Sequence, residues 1–266
     1  MACHVCPVNS GKGYSMALSQ EQLDGFHQNG YLRYGKILEE NEIELLREQY
    51  ALEIEKACED KSCRNIAGDD LGAIDDAPQR MLQVMQMCER NIHFRRLLYN
   101  EKILDVVEDL MGPNIQLLHD QALFKPPREG GAVSWHQDNG YWKCRPASLV
   151  SCWLTLDDVD RSNGAMQVIP GSHLTPIWHE QSEEASALLE ISDVDESAAV
   201  AIGLPAGGCM FHHCQTLHYT APNTTDRQRR ALAIHFMPPG TRTTSEFLEA
   251  EGMCVSFKRP LLRARA

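Results

Sequence analysis

Ser134-Trp135-His136-Gln137-Asp138-Asn139-Gly140-Tyr141-Trp142 sets an imidazole and a carboxylate two residues apart in an aromatic-rich segment. Read as a β-strand, the segment points side chains i and i+2 to one face. His136 and Asp138 would then grip one metal ion from the same side. A third ligand from elsewhere would complete a 2-His-1-carboxylate triad, which leaves open positions on a non-haem Fe(II). His-x-Asp by itself also occurs by chance, so the surrounding sequence decides its meaning.

Around this stretch the hydrophobic period is two. Candidate strands cover residues 115–125, 132–138, 149–156, 165–169, 199–204, 209–213 and 229–236. Turn signals separate them: Pro126-Pro127, Asn139-Gly140, Ser162-Asn163-Gly164, Pro170-Gly171, Ala206-Gly207-Gly208 and Pro222-Asn223. Upstream the period is helical. Ser19 and Gln22 have the form of a capping box opening a short helix with Leu23 and Phe26 as its apolar face. Residues 31–38 read as a short strand. Ile43, Leu46, Tyr50 and Ile54 predict an amphipathic helix over 41–57, and Ile103, Val106, Val107 and Leu110 predict another, stopped by Gly112-Pro113. The polar stretch 61–77 and the acidic stretch 183–196 read as exposed insertions, and Arg259, Arg263 and Arg265 as an exposed basic end. Residues 1–18 read as a flexible leader, and 19–266 as one domain with a helical part over 19–112. Helices followed by many short strands predict a mainly β fold, a barrel or sandwich with helices on its outside.

A chain of 266 residues can enclose a full core. Its net charge of −12 argues against nucleic acid or an anionic membrane as a partner. No apolar run reaches the roughly 18–20 residues of a membrane span. The first residues lack the basic start and apolar middle of a signal peptide, so a cytoplasmic address is expected. Ten cysteines in this length do not make a disulfide scaffold. Cys3-x-x-Cys6 could hold zinc with Cys58 and Cys63, but free thiols are the expected state. Cys144, Cys152, Cys209 and Cys214 read as small packing residues.

A third metal ligand has three nearby candidates, His212, His213 and His218, close to one turn-flanked strand. A buried, hydrogen-bonded core histidine is the alternative for each. Arg229 lies eleven residues beyond His218, and Pro222-Asn223 would fold the chain into a hairpin that brings the guanidinium level with the metal. Arginine suits bidentate capture of a carboxylate. Arg229 shares a strand face with Ala231 and Ala233, whereas Arg230 shares one with Leu232, Ile234 and Phe236. Small residues facing inward leave room for a cofactor, which favours Arg229.

Trp135-His136-Gln137-Asp138 resembles the front half of the phytanoyl-CoA dioxygenase family signature. His218, followed by ten residues and then Arg229, resembles the back half. Between them, Arg161 to His173, with its Asn163-Gly164 and Pro170-Gly171-Ser172-His173, is similar to the family's Asn-Gly…Pro-Gly-Ser-His stretch. Gln121-Ala122-Leu123-Phe124-Lys125-Pro126-Pro127 resembles the strand that enters the site. The likeness runs over residues 19–239.

This resemblance implies a double-stranded β-helix, a cupin-like jelly-roll, over 113–240. It implies Fe(II) held by His136, Asp138 and His218, with 2-oxoglutarate and O₂ as cosubstrates and ascorbate as an aid in vitro. Arg229 would hold the far carboxylate of 2-oxoglutarate and Thr220 would donate a hydrogen bond, with Gln121 and Trp153 lining the cosubstrate. Hydroxylation of an unactivated C–H of a small molecule, with release of succinate and CO₂, would follow. Desaturation, epimerisation, cyclisation and a non-catalytic binding jelly-roll are the alternatives. The carboxylate of Asp138 argues against halogenation. Lys125 would reach the pocket or stand exposed at its strand end, and His173 would be structural. Tyr141, Trp142, Lys143 and Arg145 would line the substrate entrance or form a surface loop.

Overall fold

The capping box at Ser19 forms as expected: its hydroxyl accepts from the Gln22 amide and the Gln22 side chain accepts from the Ser19 amide, opening α1 (Gln20–Asn29). Gly30 ends this helix at φ +80°, where a β-carbon would also meet the His173 ring and Thr216 hydroxyl at 2.5–2.7 Å. The computed structural model describes residues 16–67, 79–181, 189–191, 193–246, 248 and 259–265. The expectations for Cys3 and Cys6, and most of the leader, lie outside the described residues.

Two antiparallel sheets face each other, a double-stranded β-helix. The larger has eight strands: β1 (Tyr31–Lys36), β2 (Arg64–Asn65), β3 (Leu82–Met85), β4 (Ile115–Lys125), β6 (Val150–Thr155), β9 (Gly208–His213), β11 (Arg229–Met237) and β12 (Leu261–Arg263). Their order is β1-β9-β6-β11-β4-β3-β2, with β12 added beside β4. The smaller sheet interleaves β5 (Val133–His136), β7 (Met166–Val168), β8 (Val200–Ala201) and β10 (His218–Thr220) in the order β8-β7-β10-β5.

Alternation decides which residues face which layer. On β11, Leu232, Ile234 and Phe236 join the core formed with α2 (Glu40–Glu59) and α5 (Glu101–Met111), through Ile43, Leu46, Tyr50, Ile103, Val106 and Val107. Ala231 and Ala233 face the other way, into the space between the sheets. Removing that apolar surface from water, at about 25 cal/mol per Å², is the main force holding the helices to the sheet.

The chain departs from the sequence reading at several places. The strand expected over 132–138 stops at His136, and Asp138 opens α6 (Asp138–Trp142), so Asn139-Gly140 lies inside a helical turn. Asn139 caps that turn by accepting the Cys144 amide at 2.8 Å. The strand expected over 199–204 shrinks to β8. β3, α3 (Met87–Arg90) and α4 (Ile92–Leu97) were not anticipated, because an alternation of four residues and helices of four and six give too short a pattern. Nor is the 61–77 stretch wholly an exposed loop: Asn65 is fully buried on β2 and accepts the Met81 amide.

Part of the acidic insertion packs on the site side, where Ile191 donates to the Trp135 carbonyl and the Trp135 indole donates to Glu196. The basic end is exposed only in part: Arg259 is buried and Arg263 half-buried, while Arg265 is exposed. Arg263 pairs with Glu101, Asp105 and Glu108, and Arg265 with Glu108. Those acids recur at helical spacing on one face of α5, which gives the arginines their partner.

Candidate active site

No hairpin joins His218 to Arg229. β10 belongs to the smaller sheet and β11 to the larger, so Pro222-Asn223 carries the chain across the gap between them. Both side chains nonetheless line one cavity of about 620 Å³ between the sheets, together with His136, Asp138, Thr220, Gln121 and Trp153. All seven residues singled out in the sequence meet there.

His136, Asp138 and His218 are buried, and one ligand atom from each lies within 4.8 Å of the others. Antiparallel pairing places His136 opposite His218. The Nδ1 of His136 lies 2.7 Å from the Ser134 carbonyl, and that of His218 2.9 Å from the Thr216 carbonyl. A carbonyl only accepts, so each Nδ1 carries the proton and each Nε2 presents a lone pair. Those Nε2 atoms lie 3.8 and 3.6 Å from Asp138 Oδ1. Burial pulls both imidazoles below the ordinary histidine range and keeps them neutral. Burial pushes the Asp138 carboxyl up, but the hydrogen bond from His212 counters it and the group stays well below the usual carboxylate range. Two neutral imidazoles and one carboxylate gathered at one point fit a divalent transition metal.

Gln137, between the two motif residues, braces the site. Its amide donates to the carbonyls of Ser172, Thr175 and Gln215 and accepts the Ile177 amide, tying α6 to two distant segments, 172–177 and the turn at Gln215.

The anchor end has its own unbalanced charge. Arg229 is fully buried, and no ion pair joins it among the described residues. It donates to the Leu123 carbonyl at 3.0 Å, and its guanidinium carbon lies 5.9 Å from the Trp153 ring centre. Burial lowers its pKa to about 10, which leaves it protonated at neutral pH. Its Nε and the Thr220 hydroxyl find no hydrogen-bond partner among the described residues. A buried guanidinium with no counter-charge among the described residues and a buried hydroxyl with no hydrogen-bond partner fit a carboxylate ligand. Arg230 faces the helices and pairs with Asp157. Lys125 is buried, not exposed, yet it does not line the cavity: its ammonium donates to the Thr220 and Ala221 carbonyls at 3.0 and 2.6 Å.

Tyr141, Trp142 and Lys143 line the cavity, while Arg145 turns to the Cys144 carbonyl. His173 contacts the His27 carbonyl, outside the site. Sequence reasoning missed Ser151, His119 and His235, which also surround the cavity or its carboxylate, and it left His212 open. The signal was present: the alternation Arg229, Ala231, Ala233 continues to His235, and on β4 it reaches His119.

A buried triad inside a double-stranded β-helix, sharing its cavity with an uncompensated guanidinium, defines the class of non-haem iron, 2-oxoglutarate-dependent dioxygenases. A family model for phytanoyl-CoA dioxygenase matches residues 26–231. The chain belongs to the phytanoyl-CoA dioxygenase family. The peroxisomal phytanoyl-CoA dioxygenase of Mus musculus is 29% identical over 237 residues, covering 82% of this chain and 68% of the mouse protein. Among solved structures, the non-heme alpha ketoglutarate dependent carbocyclase SnoK of nogalamycin biosynthesis superposes with a TM-score of 0.72 at 24% identity, over 91% of this chain and 94% of its own. EvdO2 of Micromonospora carbonacea var. aurantiaca, solved with 2-oxoglutarate, gives a TM-score of 0.63 at 27% identity, over 86% of this chain and 94% of its own. Among the described residues no helix is long and apolar enough to cross a membrane.

Proposed function

We propose that this dioxygenase hydroxylates an unactivated C–H bond of a compact small molecule, converting 2-oxoglutarate and O₂ to succinate and CO₂. The reading is carried by one observation: the His136–Asp138–His218 cluster and the unpaired Arg229 open onto the same cavity. His136, Asp138 and His218 would hold Fe(II), which when bound supplies the O₂ activation and the oxidative decarboxylation of 2-oxoglutarate. Arg229 and Thr220 would take the far carboxylate. Trp153 and Gln121 would flank the cosubstrate and keep water from it. Tyr141 and Trp142, on the turn after the carboxylate, would bound the substrate.

A cavity of about 620 Å³ shared by cosubstrate and substrate supports a small substrate over a full CoA thioester, as does the acidic net charge of −12. A cytoplasmic location belongs to the same proposal and accords with free thiols at all the described cysteines. Succinate release on adding Fe(II), 2-oxoglutarate and ascorbate, with mass spectrometry of products from a substrate screen, tests the reading. Asp138→Ala is expected to abolish turnover; normal turnover by that variant would overturn the assignment.

A further inference from the structure

Five side chains from five segments form a continuous row across the floor of the cavity. The Gln83 amide on β3 lies 2.6 Å from Gln121 Oε1 on β4, and Gln121 Nε2 lies 3.1 Å from His235 Nε2 on β11. His235 Nδ1 lies 2.7 Å from Ser151 Oγ on β6, and Ser151 Oγ lies 3.1 Å from Asp138 Oδ2. Strand register makes the row possible: His235 pairs with Ser151 on one side, and on β4 Gln121 pairs with Met85 of β3.

The polarity of the row is forced from its end. An ionised carboxylate accepts only, so the Ser151 hydroxyl must donate to Asp138. Ser151 Oγ then accepts, so His235 carries its proton on Nδ1. That leaves His235 Nε2 bare, and it accepts from the Gln121 amide nitrogen. Gln121 Oε1 in turn accepts from Gln83. Every proton points toward the carboxylate. A second donor, His212 Nε2, reaches the same Oδ2 at 3.1 Å. Oδ2 is thereby engaged twice, while Oδ1 faces the two ligand imidazoles.

We propose that Gln83, Gln121, His235 and Ser151 are positioning residues of the metal site, a one-way series of donors that reserves Asp138 Oδ2 and offers Oδ1 alone to the metal. The inference rests on the reading that His136, Asp138 and His218 hold that metal. It has a second consequence. Gln83 and Gln121 line the cavity wall, so a substrate that draws on either amide weakens the next donor and alters the carboxylate at the metal.

Co(II) titration of the metal-stripped full chain by calorimetry, with its visible ligand-field spectrum, tests this without turnover. Ser151→Ala and His235→Leu are expected to weaken Co(II) binding roughly ten- to a hundredfold and to shift the spectrum, and Gln83→Leu to do so by less. His235→Asn, whose amide N–H stands in for Nδ1–H, is expected to restore most of the affinity. Ser151→Ala removes a single oxygen, so it keeps the test open should His235→Leu fail to fold. Unchanged affinity and spectrum in Ser151→Ala, or His235→Asn as weak as His235→Leu, would overturn the series. Failure of the unaltered chain to bind Co(II), or equal binding by Asp138→Ala, would instead overturn the metal reading beneath it.

Discussion

Arg229 and Arg230 are neighbours with opposite work, and strand alternation alone separates them. Arg229 points between the sheets with no ion pair among the described residues, whereas Arg230 lies against the helices, paired with Asp157 at 2.6 Å. A charge-assisted hydrogen bond contributes about 1.5–3 kcal/mol. Arg229→Ala is therefore expected to raise the KM for 2-oxoglutarate about ten- to a hundredfold. Arg230→Ala should leave that KM unchanged and lower the melting temperature instead. Steady-state succinate assays and thermal melts on both variants check this, and equal KM effects would contradict the facing. Both arginines could be told apart in sequence because their strand neighbours are small on one side and large on the other. Lys125 could not: an alternation places it on the inward face, but only the β10 carbonyls above it explain why its ammonium is buried and directed away from the cavity.

Elements were legible where their pattern was long. α2 and α5, with three or more turns of periodic apolar residues, formed within a few residues of expectation. The short pieces were not legible, since their stability comes from contacts made elsewhere in the chain. α6 is the clearest case. It is five residues long, it begins on the carboxylate of the motif, and it is held by Gln137 and Asn139 contacts to distant loops. The same reasoning applies to β12, whose arginine reads as a free tail in sequence and is in fact locked to the acidic face of α5. Arg263→Ala should lower unfolding free energy by about 1–3 kcal/mol, because three carboxylates lose their shared partner. Urea denaturation measures that loss, and the KM for 2-oxoglutarate is expected to stay at its original value.

At the scale of the molecule, the core between the sheets is rich in histidine, and this sets the response to acid. His119, His136, His218 and His235 in this core, and His213 at the end of β9 outside it, all fall below the ordinary value of 6.5 chiefly because burial disfavours the charged ring. His213 and His235 fall to about 4. The unfolded chain takes up these protons near pH 6.5 and the folded chain resists them, so stability rises with pH across that window. It is lost as pH falls from about 6.5 toward 4, by up to about 1.4 kcal/mol per pH unit for each such ring. Asp120, raised to about 6 by burial, opposes this, but as a single group. Urea midpoints of the metal-free protein should accordingly drop between pH 7 and pH 5; a flat profile would contradict it.

Asp138 is also a point at which the two sheets meet. His136 and His218 stand on the smaller sheet, and Ser151 and His212, which grip Asp138, stand on the larger. An ion held at this point would rivet the two layers across their seam. Amide hydrogen exchange should then slow most at β5, β7 and β10 when the metal is added, and quicken there on chelation. The helices against the opposite face should register little change.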